Sequence, residues 1–209
     1  HLRPLPACHS IRPPHVLLMN RRSFLQLAAA GAFAAPAAQR PNIILAMADD
    51  QGWGDTSYNG HPVLRTPVLD EMARTAIRFD RFYSGAPVCS PTRGSCLTGR
   101  HPYRYGILFA NADSGTDAPS KYILPDREFT IAELLKPYGY TSGHFGKWHL
   151  GDFAGPKKSA PTDNGFDQFF STTRKVPTVN PDGYWTKEGR IPGVLEGDDS
   201  RILMDRALQ

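Results

Sequence analysis

Three separated groups of residues in this 209-residue chain carry side chains able to do chemistry. The first is Cys89-Ser90-Pro91-Thr92-Arg93, a cysteine two residues before a proline and four before an arginine. Ser90 and Pro91 favour a turn running into a helix, with Pro91 suited to the first helical position. Cys89 then sits at the helix N-terminus, where free N–H groups and the positive dipole end favour an anion. Arg93 lies one turn on, able to donate hydrogen bonds to the group at Cys89 or to an oxyanion beside it. The second group is Asp49-Asp50. Adjacent carboxylates repel, so a cation nearby explains them economically; in isolation they also read as a solvated turn. The third is Lys147-Trp148-His149, whose charged residues, two apart, project the same way from a strand end and suit an anion site.

The elements that position these groups follow from patterning. Pro41–Met47 is a continuous apolar run, expected as a strand buried on both faces, with Asp49-Asp50 at its carboxyl end, where open α/β sheets bind ligands. Thr66–Arg78 reads as an amphipathic helix capped by Thr66, with Pro67 first and Val68, Leu69, Met72 and Ala76 on one face. Phe79–Tyr83 alternates like a strand leading to Cys89. Thr130-x-x-Glu133 is a capping box opening a short helix that Pro137 and Gly139 stop. Tyr140–Phe145 is expected as a strand delivering Lys147 and His149. Residues 100–128 read as mostly loop, with Asn111–Lys121 bordering a pocket. Beyond Asp152 the signal fades, apart from an apolar island at Gly165–Phe170 and a helix running to the end from Arg201.

Composition bounds the class. With 40% apolar and 21% charged residues the chain is an ordinary globular protein. Its net charge of +4 comes from Arg3, Arg12, Arg21 and Arg22, which lie in residues 1–38 where there is no acid. The remainder is formally neutral, which argues against nucleic-acid binding. Cys89 and Cys96, seven apart on a helix, would be about 10.5 Å apart, too far for a disulfide. Cys96 is expected as a small buried hydrophobe. Cys8 lies in residues 1–18, a Pro-, His- and Arg-rich stretch expected to be an unstructured upstream extension. Residues 19–38 carry Arg21-Arg22, a short apolar run from Phe24 to Ala35 and small residues at Ala35–Ala37. They read as a bacterial export signal of twin-arginine type, too short to span a membrane, with cleavage near 34–38. Residues 39–209 form the globular part. The predicted location is periplasmic or extracellular, with the twin-arginine export machinery as partner.

Cys89-x-Pro91-x-Arg93 followed by Thr98-Gly99, Asp49-Asp50 before it, and Gly139-Tyr140-x-Ser142 leading to Gly146-Lys147-Trp148-His149-Leu150 together resemble the formylglycine-dependent type I sulfatases of the alkaline-phosphatase superfamily. Phe145 departs from the family pattern, which has a smaller residue there. The resemblance implies an α/β fold, a mixed, mostly parallel sheet with helices on both faces, of which residues 39–209 would be the N-terminal part. It implies a sulfuric ester hydrolase in which Cys89 is oxidised to formylglycine by a formylglycine-generating enzyme that recognises Pro91 and Arg93. One hydroxyl of the hydrated aldehyde attacks sulfur and the other helps expel sulfate. Asp49, Asp50 and residue 89 would ligate calcium, or magnesium. Arg93 would stabilise the hydrate, Lys147 would bind sulfate oxygens, and His149 would assist proton transfer.

The family's Asp-Asn pair, second lysine and second histidine are expected well downstream. Asp163-Asn164 precedes a position where the family has no ligands, and is not expected to ligate. Tyr105-Gly106-Ile107, Asn111-Ala112 and Gly165–Phe170 resemble sulfatases acting on sulfated sugars, including N-acetylgalactosamine 6-sulfate. Two alternatives stay open at this point. One is a phosphodiesterase or phosphonate hydrolase of the same superfamily. The other is an inactive fragment that lacks downstream ligands.

Overall fold

The computed structural model describes residues 40–110, 123–156 and 158–209. The extension at 1–18, the export signal at 19–38 and the Asn111–Lys121 loop therefore lie outside the described residues. The chain divides into two units, His1–Met47 and Ala48–Gln209. In the first, residues 40–47 are exposed and form no regular structure, so the expected strand over Pro41–Met47 is not seen. An apolar run becomes a strand only where a neighbouring edge accepts its amides and carbonyls, and its composition alone does not supply that edge.

In the second unit, α1 spans Pro67–Thr75. Pro67 takes the first helical position as expected, but Thr66 does not cap through its side chain. Its hydroxyl instead accepts from Ser57 N at 3.0 Å and donates to Asp70 at 3.0 Å. Ser57 Oγ also donates to Asp70, so the polar side of α1 is fastened to the turn before it. The apolar face carrying Val68, Leu69 and Met72 is exposed. Residues 79–83 form no strand and are exposed, which corrects the second strand expectation. Next come α2, Cys89–Thr98, and the single-turn α3, Pro102–Tyr105. Then α4, Ile131–Leu135, opens with the full Thr130/Glu133 capping box and ends in a short 3₁₀ turn before Gly139. Last comes α5, Asp199–Ala207, capped by Asp198.

The sheet has four strands in sequential order: β1, Gly143–Lys147; β2, Gln168–Thr172; β3, Trp185–Thr186; and β4, Gly189–Arg190. The fold is thus α/β with a mixed sheet, β1 and β2 parallel and the other two pairings antiparallel. β1 starts three residues later than the sequence suggests. Ser142 and Asp167 clasp each other just outside the ladder, the Ser142 amide donating to the Asp167 carboxylate and the Asp167 amide to the Ser142 carbonyl, both at 2.8 Å.

The core lies where the chain leaves β1. Trp148 and Leu150 are buried there with Tyr105, Ile107, Leu124, Phe153, Ala160 and Phe169. The Trp148 indole N–H donates to Ser159 O at 2.6 Å, which satisfies its polar end inside the core. Asn164 is buried and its amide donates to Ser159 Oγ and Ala160 O, a structural role that agrees with leaving it out of the ligand set.

Candidate active site

Cys89 is the first residue of α2, preceded by extended Val88. Pro91 occupies the third position instead of the first, still within the turn whose N–H groups need no helical partner. Ser90, Pro91 and Gly94 are buried, whereas Cys96 is exposed, contrary to the expected buried thiol. Both Cys89 and Cys96 are free thiols, in keeping with the spacing argument.

Lys147, the last residue of β1, joins the groups that lie far apart in sequence. Its ammonium donates to Cys89 Sγ at 3.2 Å and to the two Asp49 oxygens at 3.0 and 3.2 Å. Arg93 donates to Asp49 at 2.9 Å and to the Lys147 carbonyl at 2.5 Å. One guanidinium therefore fixes both the carboxylate and the strand end that carries the lysine. Burial pushes the Asp49 carboxyl up, but hydrogen bonds and charge from Lys147 and Arg93 outweigh it and hold the group below its usual range.

His149 is buried just beyond Lys147 and has left-handed backbone, φ 55°. That departure breaks the strand alternation, so the argument that Lys147 and His149 project the same way from a strand does not hold here. Burial drives its imidazole down to about 4, the charges of Lys147, Arg93 and Arg174 push the same way, and Asp49 opposes them. At neutral pH it is therefore uncharged. Arg174 is a contributor that sequence reasoning missed; no local pattern marks it. His144 on β1 was also missed: its Nδ1 lies 2.7 Å from Ser171 Oγ and its ring meets Trp148 edge-on.

Ligand atoms of Asp49, Asp50 and Cys89 lie within 4.8 Å of one another. Two carboxylates converging on one point suit a hard divalent cation, and Asp50 reaches its place with left-handed backbone, φ 60°. The sulfur does not suit calcium, which takes oxygen donors. An oxygen-bearing residue made from Cys89 would fit the same corner. The donor set therefore fits calcium once Cys89 is oxidised.

The Sulfatase family model matches residues 41–209. The chain belongs to the sulfatase family. Among curated relatives, mouse N-acetylgalactosamine-6-sulfatase is 44% identical over 151 residues, which are 71% of this chain and 28% of that protein. Mouse steryl-sulfatase is 40% identical over 170 residues, 74% of this chain and 25% of that protein. The chain thus spans about a quarter of the length of these relatives. Among solved structures, the crystal structure titled Ps i-CgsB aligns with TM-score 0.68 at 26% identity, covering 81% of this chain and 41% of that one. A structure in complex with its substrate D-glucosamine-2-N,6-O-disulfate aligns with TM-score 0.64 at 29% identity, covering 81% of this chain and 31% of that one.

Proposed function

We propose that this sulfatase-family protein hydrolyses sulfate esters of 6-O-sulfated amino sugars, using a formylglycine made from Cys89 and a calcium ion held by Asp49, Asp50 and residue 89. The observation that carries the reading is the Lys147 ammonium, within 3.2 Å of both the Cys89 sulfur and the Asp49 carboxylate. A cation at that point can hold a sulfuryl oxygen next to the attacking atom while the carboxylates hold a metal on the other side. Bound there, calcium would supply fixed positive charge against the negative charge that develops on the sulfuryl group.

Each remaining residue has a physical task. Arg93, fixed to Asp49 and to the Lys147 carbonyl, keeps the carboxylate and the lysine in register and adds positive charge behind residue 89. Lys147 binds and orients the sulfate. His149, neutral at pH 7, accepts a proton at residue 89. Pro91 and Arg93 mark Cys89 for the formylglycine-generating enzyme. The amino-sugar assignment is supported by the relatives named N-acetylgalactosamine-6-sulfatase and by the neighbour solved with a 6-O-sulfated glucosamine. The Arg21-Arg22 segment supports export by the twin-arginine route to the periplasm or beyond.

Paired assays of the full-length protein on an aryl sulfate and the matching aryl phosphate, then on N-acetylgalactosamine 6-sulfate, test the reading. Turnover of the sulfates, lost on chelation and restored by calcium, is expected. Faster turnover of the phosphate, offered as the diester, would shift the assignment to a phosphodiesterase or phosphonate hydrolase.

A further inference from the structure

The catalytic face of α2 is one side of a helix whose other side is gripped by a residue with no contact to the chemistry. At about 100° per residue, Cys89 and Arg93 lie about 40° apart, while Pro91, Gly94 and Ser95 fall about 140° to 240° from Cys89, on the far side. Tyr105, the last residue of α3, is 2% exposed and packs against that far side. Its hydroxyl donates to the Pro91 carbonyl, and Ser95 Oγ lies 3.0 Å away as its second partner. The ring occupies the space that a Gly94 side chain would take: a Cβ there would stand 2.9 Å from the Tyr105 ring and hydroxyl. The phenol thus bridges one turn, from residue 91 to residue 95, starting two residues after Cys89. Burial raises the Tyr105 pKa, so the hydroxyl remains a donor at any working pH.

We propose that Tyr105 is a positioning residue: by bonding Pro91 and Ser95 on the rear of α2 it fixes the rotation and advance of that helix, and so the placement of residue 89 against Lys147. Contacts on the front cannot do this alone. Lys147 is a long, flexible side chain that can follow a displaced sulfur, and Arg93, although on α2, reaches the Lys147 carbonyl and Asp49 only through the end of its own long side chain. The rear contact instead reaches the α2 backbone directly, at the Pro91 carbonyl, and ties it to the core in which Tyr105, Ile107 and Trp148 are packed. Misplacing a reacting atom by a fraction of an ångström costs rate more than substrate affinity. The sulfate is held by Lys147 and the metal, which Tyr105 does not touch.

The kinetic arm of the inference rests on the sulfate-ester reading above, so the experiment has a second arm that does not. In the full-length, formylglycine-bearing protein, Tyr105→Phe keeps the ring and removes the hydroxyl. Its kcat on an aryl sulfate should fall about tenfold with KM within about twofold, and Ser95→Ala should give a smaller fall of the same kind. Residue-89 conversion, read by mass spectrometry, should stay at the parent level. In the second arm, the same variants are made without the generating enzyme and treated with iodoacetamide. The alkylation rate at Cys89 reports the ammonium beside its sulfur, and exposed Cys96 on the same helix serves as internal reference for unfolding. The Cys89-to-Cys96 rate ratio should fall severalfold in Tyr105→Phe. Should that variant fail to fold, Ser95→Ala carries both arms. Parent-like kcat together with a parent-like ratio, or a lost Tm with neither changed, would overturn the proposal. An inactive parent with a changed ratio would instead sink the sulfatase chemistry and leave the positioning role standing.

Discussion

The two halves of the candidate site are built differently. Lys147, Trp148, His149 and Leu150 follow one another out of β1 into the core, where Trp148, His149 and Leu150 are 5% exposed or less. Asp49 and Asp50 sit on an exposed segment with no regular structure. Side-chain exposure repeats the contrast: 12% for Lys147 and Arg93 against 39% for Asp49. The cationic half is set by packing, which costs several kcal/mol to disturb, and the anionic half by ion pairs, which cost less. Positive charge is therefore fixed by the fold itself. Of the two carboxylates, Asp49 is held by both cations, Lys147 and Arg93, and Asp50 by neither.

The largest effect should come where the halves meet. Cys89→Ala removes the sulfur that the Lys147 ammonium contacts and that lies within 4.8 Å of the Asp49 and Asp50 ligand atoms, and turnover should drop to background. Cys96→Ala, on the same helix but exposed, should keep parent activity. Mass spectrometry of the parent peptide spanning residue 89 should show the aldehyde made from its thiol, with Cys96 unchanged. A fully active preparation with an unmodified Cys89 thiol would contradict the whole assignment.

The carboxylates sharpen the contrast. Asp49→Asn and Asp50→Asn should each cost about a hundredfold or more in calcium-dependent rate, since each removes a hard ligand. Their effects on the metal-free protein should differ. Asp49 neutralises two largely buried cations, so its loss should cost about 1–3 kcal/mol in denaturant unfolding. Asp50 has no ion pair among the described residues, and its replacement should stay within about 0.5 kcal/mol. Equal losses would show that the anionic half is held by something other than these pairs.

On the packed side, Gly151 closes the Trp148–Leu150 turn with φ 140°. A Cβ there would meet Ser159 Cβ at 2.5 Å and its backbone at 3.1 Å. Gly151→Ala should lower stability by about 2–4 kcal/mol, measured by chemical denaturation, because strained backbone and a clash with main chain act together. The exposed Gly54, whose added Cβ meets nothing within 4 Å, is the matching control and should tolerate alanine.

What could be read from sequence divides along the same line. The Thr130/Glu133 box and the helix start at Cys89 were legible because their causes lie within four residues. The Cys–Pro–Arg, Asp–Asp and Lys–x–His groups were legible as chemistry because their side-chain types are rare in such combinations. The failures depend on remote partners. Pro41–Met47 has strand composition, but a strand needs an edge. The Thr66 hydroxyl was expected to cap its own helix, and Ser57 and Asp70 engaged it instead. Tyr105 and Ile107 belong to the segment that resembles sugar sulfatases, and the structure makes both of them core residues. The partner carbonyl of Tyr105 is 14 residues away and visible only once α2 and α3 pack. The left-handed backbone of His149 has no signature in its neighbours.

The smallest effect, and the one that separates the halves most gently, is acid. His144 on β1 is held down to about 3, chiefly by burial and then by the charge of Arg93. Unfolded, it returns to its ordinary value of 6.5. Between those two values the unfolded chain binds a proton that the folded chain does not, so stability rises with pH there and is lost as pH falls below 6.5. Each unit of descent costs about 1.4 kcal/mol for one such histidine. Asp49 has the opposite ionic character but the same sign of dependence: its folded value is lowered, so its contribution is present above the ordinary value of 3.8 and is lost only below it. The two windows overlap only below 3.8. Denaturant midpoints between pH 7 and pH 5 should therefore report the packed half, and those below pH 4 should add the ion-paired half. His144→Gln should flatten the upper slope by about the single-histidine amount while leaving the lower limb in place, and Asp49→Asn should do the reverse. An unchanged upper slope in His144→Gln would show that His144 already takes up its proton in the folded protein, and that the Trp148 side of the site is less tightly closed than its burial implies.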